Sequence, residues 1–228
     1  MPRPRKSRVS KANERVVSDD DYIPAATLIL AREPDAGGAP EYLMVRRHGK
    51  MAFAANAWVW PGGRVDAADH EGAADDLDAA RIAAVRETRE EVDLDIDPAT
   101  LVPFARWAPK MKLARRFDTW FFLARAPLPD APLTLQEGEI VEARWTSAQA
   151  MLDAIAAGKA GAIFPTKRNL ERLARFASID EAIVDARAQS LDRIVPWVED
   201  RDGQKRVCIP EGRGYPVTSE PLDSAVRA

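Results

Sequence analysis

The apolar positions of the chain fall into short alternating or continuous runs that are separated by turn residues. Runs of this length, rich in β-branched and aromatic residues, are typical of strands. The pattern predicts six strands, at residues 22–31, 41–47, 57–60, 101–108, 116–124 and 140–146. The third strand is expected to stop at Pro61-Gly62-Gly63, because proline and paired glycines interrupt regular structure.

Helical periodicity appears in four further segments. One helix of about four turns is predicted from residue 77 to 92. Three others are predicted to begin at the N-cap candidates Ser147, Thr166 and Asp180 and to reach about residues 157, 176 and 189. Residues 193–198 and 205–209, joined by Asp202-Gly203, predict a terminal hairpin. Because strands and helices are mixed without regular alternation, the sequence predicts an α/β fold with a mixed sheet between helices.

Composition narrows the chemistry that the chain can carry. The 228 residues are 46% hydrophobic and 30% charged, values that are typical of one globular domain. A single cysteine, Cys208, and two histidines, His48 and His70, argue against disulfide scaffolds and cysteine- or histidine-rich metal sites. The longest apolar run, residues 25–31, is too short to span a bilayer, and no basic start leads into a secretory apolar stretch. We therefore expect a cytoplasmic protein without a membrane partner.

Charge is unevenly distributed along the chain. Residues 1–17 contain six Lys or Arg side chains and one acid, so the net charge of −3 hides an acidic body. We expect residues 1–17 to form a basic, disordered arm and residues 18–228 to form a single domain with a C-terminal extension. The alternative is that the arm contacts nucleic acid, an acidic partner or a membrane surface. The acidic body argues against nucleic acid as a general partner.

The most informative segment is Arg86-Glu87-Thr88-Arg89-Glu90-Glu91, within the first predicted helix. At about 100° per residue, Glu87, Glu90 and Glu91 fall within one arc of about 100°. The opposite side of the helix carries Ile82, Val85, Arg89 and Val92. Three carboxylates this close repel one another unless a cation neutralises them. Hard oxygen ligands at this spacing suit magnesium or manganese.

The charged outer face of a soluble helix is the alternative interpretation of these six residues. The surrounding sequence favours a functional site, because the strand that ends at Trp60 and the glycine pair Gly62-Gly63 stand just upstream. Paired glycines let the backbone pass close to an anion or turn its carbonyl groups onto a cation.

Residues 63–94 resemble the Nudix box, and the chain is similar to Nudix hydrolases in this segment. The positions that match the box are Gly63, Arg86, Glu87, Glu90 and Glu91. The loop between Gly63 and Arg86 is nine residues longer than in the box, so its early acid is either Asp69 or Glu71. The helix also departs from the box at two positions, Thr88 and Asp93.

Segments outside the box resemble a long-insert subgroup that includes the peroxisomal coenzyme A diphosphatase-like proteins. These segments are 51–65, 116–123, 166–174 and 209–216, and the resemblance covers about residues 22–216. It implies that residues 18–228 are a single Nudix hydrolase domain. The implied fold is a Nudix-type α/β/α sandwich with a mixed β-sheet, followed by C-terminal helices and a terminal hairpin.

The resemblance implies metal-dependent hydrolysis of a pyrophosphate linkage in a small molecule, a nucleoside diphosphate linked to another moiety. Glu87, Glu90, Glu91 and the carbonyl group of Gly63 would bind Mg²⁺ or Mn²⁺. Arg86 would orient the carboxylates rather than contact the substrate.

The resemblance leaves two sources for the general base. One is a glutamate of the box, such as Glu90, and the other is a glutamate near a later strand. Glu139 is the leading downstream candidate, with Glu137 and Glu142 behind it, because it directly precedes the strand predicted at 140–146. Homodimers are common in the family, so a homodimer is also expected.

Coenzyme A diphosphatases carry a signature ahead of the box, and residues 43–63 align with it without gaps. Ala52 and Asn56 replace an arginine and a glycine of that signature. Coenzyme A or an acyl-coenzyme A is the leading substrate. The alternatives are ADP-ribose, dinucleotides, diadenosine polyphosphates, or a non-catalytic module that binds such a ligand. Arg46 and Arg47, at the end of the second strand, are candidates for contact with substrate phosphates.

Overall fold

A computed structural model describes residues 22–51, 54–109, 116–128 and 130–225. The basic arm, residues 1–17, lies outside the described residues, and so does Ala52. None of the helices in the described ranges has the length and apolar character that crossing a membrane requires.

A mixed sheet forms the centre of the fold. Its strands are β1 (Ile23–Arg32), β2 (Glu41–Arg47), β3 (Trp58–Val59), β4 (Gly62–Arg64), β5 (Val102–Trp107), β6 (Phe117–Arg125) and β7 (Ile140–Ser147). β1 and β6 are parallel over nine residue pairs, and the other pairings are antiparallel. β2 pairs with β1 at its start, with β3 near its end and with β7 along its length. The prediction of a mixed sheet is confirmed.

Helices cover both faces of this sheet. They are α1 (Asp76–Val92), α2 (Ala148–Ala156), α3 (Phe164–Leu173), α4 (Ile179–Ala188) and the short α5 (Leu222–Ala225). Successive side chains of a strand point to opposite faces. In β1, Leu28 and Leu30 therefore pack with α1, whereas Ile29 packs with α2, α3 and α4. The result is the expected α/β/α sandwich.

A small antiparallel sheet follows the helices. It consists of β8 (Trp197–Arg201), β9 (Gln204–Cys208) and β10 (Ser219–Pro221). The predicted hairpin is confirmed, and Asp202 and Gly203 in its turn both have positive φ, as a type I′ turn requires. The sequence pattern missed β10, because three residues that end in proline are too few to show an alternation. A parallel bridge between Ile194 and Trp107 joins this part of the chain to the central sheet.

Two helix starts differ from the prediction. α3 begins at Phe164, with Ile163 at the N-cap, so Thr166 lies inside the first turn. The start is set by Pro165, whose fixed φ suits the first positions of a helix. α4 is capped by Ser178 rather than by Asp180, because the Ser178 hydroxyl oxygen accepts the N–H of Glu181 at 3.2 Å.

The buried face of α1 consists largely of small side chains. Arg89 is exposed, and Ile82 and Val85 are only partly buried. The side that packs on the sheet carries Ala80, Ala83, Ala84, Thr88 and Glu91. Small alanine side chains bring the helix backbone close to the sheet. The apolar pattern did not show this, because alanine adds little to it.

A buried chain of hydrogen bonds joins β5, α3 and the segment before β10. The indole N–H of Trp107 donates to the hydroxyl oxygen of Tyr215 at 3.2 Å. The Tyr215 hydroxyl in turn donates to Oδ1 of Asn169 at 2.7 Å. The rings of Trp107 and Tyr215 meet edge to face, with centroids 5.5 Å apart. One hydroxyl group therefore links three separate elements.

We predict that Tyr215→Phe lowers the free energy of unfolding by about 1–3 kcal/mol, because it leaves two buried polar groups without their partner. Tyr42→Phe is the matched control: the Tyr42 hydroxyl is buried and has no hydrogen-bond partner within the described residues, so its removal should be neutral or slightly stabilising. Urea denaturation followed by tryptophan fluorescence measures both. Equal losses in the two variants would contradict the proposed importance of this hydrogen-bond chain.

Candidate active site

A cavity of about 430 Å³ opens between β4, α1 and the start of α3. Its lining includes four glutamates, here called the carboxylate end: Glu87, Glu90, Glu91 and Glu139. It also includes four aromatic residues, here called the aromatic end: Trp60, Trp107, Phe117 and Phe121. A cavity of this size, with an apolar lining and a few convergent polar groups, is typical of a small-molecule site.

Two glycines allow α1 to lie close to β4. A Cβ atom on Gly62 would lie 2.3 Å from the carbonyl oxygen of Ala26, and Gly62 has a φ of +155°. A Cβ atom on Gly63 would lie 2.4 Å from the carboxyl carbon of Glu87. Any larger residue would push either the sheet or the carboxylate away. β3 ends before Pro61, as expected, and the glycine pair then begins a separate strand, β4, which pairs with β1.

Glu91 is the most deeply buried acid of the cavity, with 1% of its surface exposed. Its Oε2 accepts the backbone N–H of Gly62 at 3.1 Å, and Oε1 lies 3.7 Å from the Arg47 guanidinium. Burial raises the pKa of Glu91 to about 8, and the nearby carboxylates of Glu87 and Glu139 add to this effect. The Gly62 N–H and the charge of Arg47 act in the opposite direction without cancelling it.

Burial and a nearby arginine also have opposite effects on the pKa of Glu87. Burial raises its pKa, against the opposing charge of Arg86, and Glu90 repels it further. The buried Glu91 and the partly buried Glu87, one helical turn apart, therefore favour either protonation or a bound cation.

Arg86 contacts acids of both the long loop and helix α1. Its Nε and one terminal nitrogen each donate to Asp69 at 3.0 Å, and the same terminal nitrogen reaches the carbonyl oxygen of Arg64. The other terminal nitrogen lies 3.0 Å from Glu87 and 3.3 Å from Glu90. One guanidinium thus connects the long loop to two of the three helix carboxylates.

The structure also distinguishes between the two candidate acids of the long loop. Asp69 is buried in a 3₁₀ turn, Ala67–His70, where it accepts the N–H of Asp66 at 2.8 Å in addition to Arg86. Burial alone would raise its pKa, but the hydrogen bonds from Arg86 and Asp66 lower it overall. Glu71 is exposed at the end of this turn. Asp69 is therefore the acid that meets the helix.

The residues of the carboxylate end fit a divalent cation of the magnesium type. Hard carboxylate oxygens on one helix stand next to a glycine backbone, and the raised pKa values of Glu87 and Glu91 mean that the surrounding groups stabilise their charged forms poorly. Within the described ranges, no three acidic, histidine or cysteine side chains already converge on one point. Arg86 forms ion pairs with Glu87 and Glu90.

The two predicted substrate-contact residues, Arg46 and Arg47, face opposite sides of the sheet, because neighbouring residues of a strand do so. Arg47 lines the cavity. Arg46 does not, since its Nε donates to Glu142 on β7 at 3.1 Å. The same ion pair keeps Glu142 away from the cavity.

Of the downstream acids, Glu139 is the one that reaches the cavity. It is half-buried and lines the wall near Glu91, and its backbone carbonyl oxygen accepts the N–H of His48 at 2.7 Å. Glu137 is exposed.

The cavity lining also includes residues that the sequence does not single out as site residues. Among them are Thr27, Gln136 and Thr166. The alternation of β1 indicates that Thr27 faces the same side as Ile29. By contrast, only the position of α3 reveals Thr166, and only the loop before β7 reveals Gln136.

Comparison with known proteins agrees with this geometry. A family model described as NUDIX domain matches residues 21–166. The crystal structure of a NUDIX hydrolase from Alicyclobacillus acidocaldarius is similar over 72% of this chain and 96% of that chain, with 26% identity and a TM-score of 0.63.

Lower similarity is found to two other solved structures. The NUDIX domain of Shewanella oneidensis NrtR complexed with ADP ribose has 15% identity over 68% of this chain and 86% of that chain, with a TM-score of 0.48. A C. elegans Ap4A hydrolase binary complex has 20% identity over 73% of this chain and 96% of that chain, with a TM-score of 0.42. No curated protein matches the chain in sequence.

We predict that Asp69→Asn lowers the free energy of unfolding at pH 7 by about 1.5–3 kcal/mol, because Arg86 loses a charged, doubly hydrogen-bonded partner. Glu71→Gln, at an exposed position two residues later, should change it by less than about 0.5 kcal/mol. The folded-state pKa of Asp69 is lowered, so this stabilisation is present above the ordinary carboxyl pKa and is lost as the pH falls through the folded value. Urea denaturation at pH 7 and pH 3 tests both statements; a loss that persists unchanged in acid would refute them.

We also predict that Glu91→Gln stabilises the metal-free protein at pH 8. The unfolded chain loses the Glu91 proton near pH 4.5 and the folded chain near pH 8, so wild-type stability falls as the pH rises between these values. Glutamine still accepts the Gly62 N–H without the charge. The expected gain is at least about 1 kcal/mol, or roughly 2–4 °C in melting temperature, and it should vanish near pH 4.5.

Differential scanning calorimetry in the presence of a chelator measures this gain. Glu90→Gln is the control, since the Glu90 side chain is half exposed and should change the metal-free melting temperature little. Added Mn²⁺ should raise the melting temperature of the wild type more than that of Glu91→Gln. A lower metal-free melting temperature for Glu91→Gln at pH 8 would contradict the electrostatic account.

Proposed function

Because the chain belongs to the NUDIX domain family and is a hydrolase acting on pyrophosphate bonds, we propose that its substrate is coenzyme A or an acyl-coenzyme A. Cleavage would release adenosine 3′,5′-bisphosphate and a 4′-phosphopantetheine. The observation that supports cleavage of its pyrophosphate is the carboxylate end of the cavity, where the buried Glu91 and the partly buried Glu87, both with raised pKa, lie beside Arg47 and Arg86. Such a site stabilises a cation and, through it, a pyrophosphate.

Nudix hydrolases use divalent metal ions, and we propose Mg²⁺ or Mn²⁺ here. Glu87, Glu90, Glu91 and the carbonyl group of Gly63 would hold the ion, which supplies charge neutralisation for the pyrophosphate oxygens. Arg86 fixes Glu87 and Glu90 through its own hydrogen bonds and thereby sets the direction of their oxygens. Arg47 contributes positive charge at the cavity wall, where a phosphate oxygen can accept its N–H groups.

We assign the role of general base to Glu139. Support for this role is that Glu139 lines the cavity within electrostatic reach of Glu91 and comes from a different element than the metal-binding acids. A water molecule would transfer one proton to the Glu139 carboxylate as its oxygen forms a bond to phosphorus. The bond from that phosphorus to the bridging oxygen would break, and the second phosphate would leave with the bridging oxygen.

The backbone conformation of Asn56 supports coenzyme A as the substrate, although its side chain differs from the signature. It stands where the diphosphatase signature has a glycine, and its φ is +61°. Asparagine is among the few other residues that adopt this left-handed conformation readily. The replacement therefore keeps the backbone path that the signature glycine provides.

We further propose that residues 18–228 form one domain, with the part beyond residue 166 packed as an extension of it. Support comes from the Trp107–Ile194 bridge and from the hydrogen bonds that join Trp107, Tyr215 and Asn169. The basic arm, residues 1–17, is proposed to be dispensable for hydrolysis.

We predict that the purified protein cleaves coenzyme A in the presence of Mg²⁺ or Mn²⁺, with products identified by mass spectrometry. Glu139→Gln should lower kcat by about 10²-fold or more, since it removes the proton acceptor and keeps the shape of the side chain. Glu137→Gln, two residues earlier and exposed, should leave kcat within about twofold. Glu90→Gln, in the metal-binding set, should lose nearly all activity.

The other outcomes change the proposal in defined ways. If coenzyme A is not cleaved but ADP-ribose, NADH or a diadenosine polyphosphate is, the substrate is wrong and the reaction stands. If none is cleaved although Mn²⁺ raises the melting temperature, the chain is a binding module. Equal kcat values for Glu139→Gln and Glu137→Gln would assign the proton transfer to another residue.

A further inference from the structure

The aromatic end of the cavity contains a hydrogen-bond donor that lacks an acceptor. Trp60 lines the cavity with 1% of its surface exposed, and its indole N–H has no partner among the described residues. Thr166 lines the same cavity with 2% of its surface exposed, and its hydroxyl is a second polar group on this lining. Buried donors are normally satisfied, so the unpaired indole N–H indicates a ligand that carries an acceptor.

The start of α3 strengthens this indication. Ile163 occupies the N-cap and offers no side-chain acceptor to the first turn. Ile163, Pro165 and Thr166 all line the cavity, so the positive end of the helix dipole lies at its wall. The N–H of Trp58 donates to the carbonyl oxygen of Gly161 at 2.8 Å, which fixes the loop before α3 against the strand that leads to Trp60.

The walls around these donors favour a flat ring. Trp60 and Phe121 meet edge to face at 6.2 Å, and Phe117 and Trp107 complete the aromatic end. Rigid aromatic walls suit a planar heteroaromatic group, which stacks or packs edge-on against them. A saturated acyl chain would fill the space, but it would offer no acceptor to the Trp60 indole N–H or the Thr166 hydroxyl. Its binding would therefore be weaker.

We propose that Trp60 and Thr166 form a nucleobase subsite, in which the indole N–H and the hydroxyl donate to acceptor atoms of the substrate's purine base. This inference rests on the proposed function, since it assigns the nucleoside half of that substrate to the aromatic end. The pyrophosphate then lies at the carboxylate end, and the second moiety extends toward the cavity mouth. Trp60 and Thr166 are specificity-determining residues and take no part in the bond cleavage.

Isothermal titration calorimetry with AMP tests the subsite without requiring hydrolysis. Ribose 5-phosphate, which lacks the base, is the reference ligand, and both are titrated in the presence of Mg²⁺. The wild type should bind AMP at least about tenfold more tightly than ribose 5-phosphate, since base stacking and two hydrogen bonds add to the affinity. The AMP affinity tests the nucleobase subsite separately from hydrolysis, because a protein that cleaves no substrate can still bind AMP more tightly than ribose 5-phosphate.

Thr166→Val and Thr166→Ser form the matched pair. Valine keeps the shape and removes the hydroxyl, so the affinity for AMP should fall roughly 5- to 10-fold, while that for ribose 5-phosphate stays unchanged. Serine keeps the hydroxyl, and its affinity for AMP should stay within about twofold to threefold. Trp60→Phe, which removes the indole N–H and keeps an aromatic ring, should reproduce the valine effect if Thr166→Val folds poorly.

Three results would overturn the subsite. The first is equal AMP affinity for Thr166→Val, Trp60→Phe and the wild type. The second is an equal loss for ribose 5-phosphate, which would mean that Thr166 and Trp60 support the phosphate or the fold. The third comes from a parallel titration with 4′-phosphopantetheine: a loss of affinity for this ligand and none for AMP would assign the aromatic end to the other half of coenzyme A.

Discussion

Repulsion among carboxylates is the constraint on which this cavity depends. Glu87, Glu90 and Glu91 lie within little more than one turn of α1, and two of them are largely buried. Arg86, on the same turn, contacts Glu87 and Glu90 and also holds Asp69 and the Arg64 carbonyl oxygen. It therefore stabilises the helix before any cation binds. It also explains how the nine extra loop residues are accommodated: the 3₁₀ turn returns Asp69 to the helix, and the insertion bulges outward.

The sequence predicts most of the regular structure, because strands such as β2 and helix α1 have clear periods and clear ends. The prediction fails where contacts with distant parts of the chain determine the local structure. β4 is a strand because Gly62 and Gly63 pair with β1, although nothing in a Pro-Gly-Gly segment indicates extended pairing. The buried face of α1 is built from alanines whose burial depends on close approach to the sheet. α3 starts three residues early, because Pro165 occupies its first turn.

The candidate site follows the same division. The acids of the helix could be selected from their spacing, since a helix of known period brings them together wherever it lies. Arg46 and Arg47 could not be separated, because strand alternation says that neighbours diverge without saying which one faces the cavity. The pairing of Arg46 with Glu142 across β7 decides this. Asp69 and Glu71 were likewise indistinguishable until the turn around Asp66 was known.

The two ends of the cavity draw on different parts of the chain. Every residue of the carboxylate end lies within 21–166, the part that matches the family model, and so does the loop that holds Asp69. The aromatic end is secured from outside that range, because Tyr215 and Asn169 hold the indole of Trp107 through their hydrogen bonds. Helix α3 also continues beyond residue 166 and carries Thr166 in its first turn. Hydrolysis and recognition are therefore structurally separable: changes in the C-terminal extension can alter which moiety fits the aromatic end while the carboxylates keep their geometry.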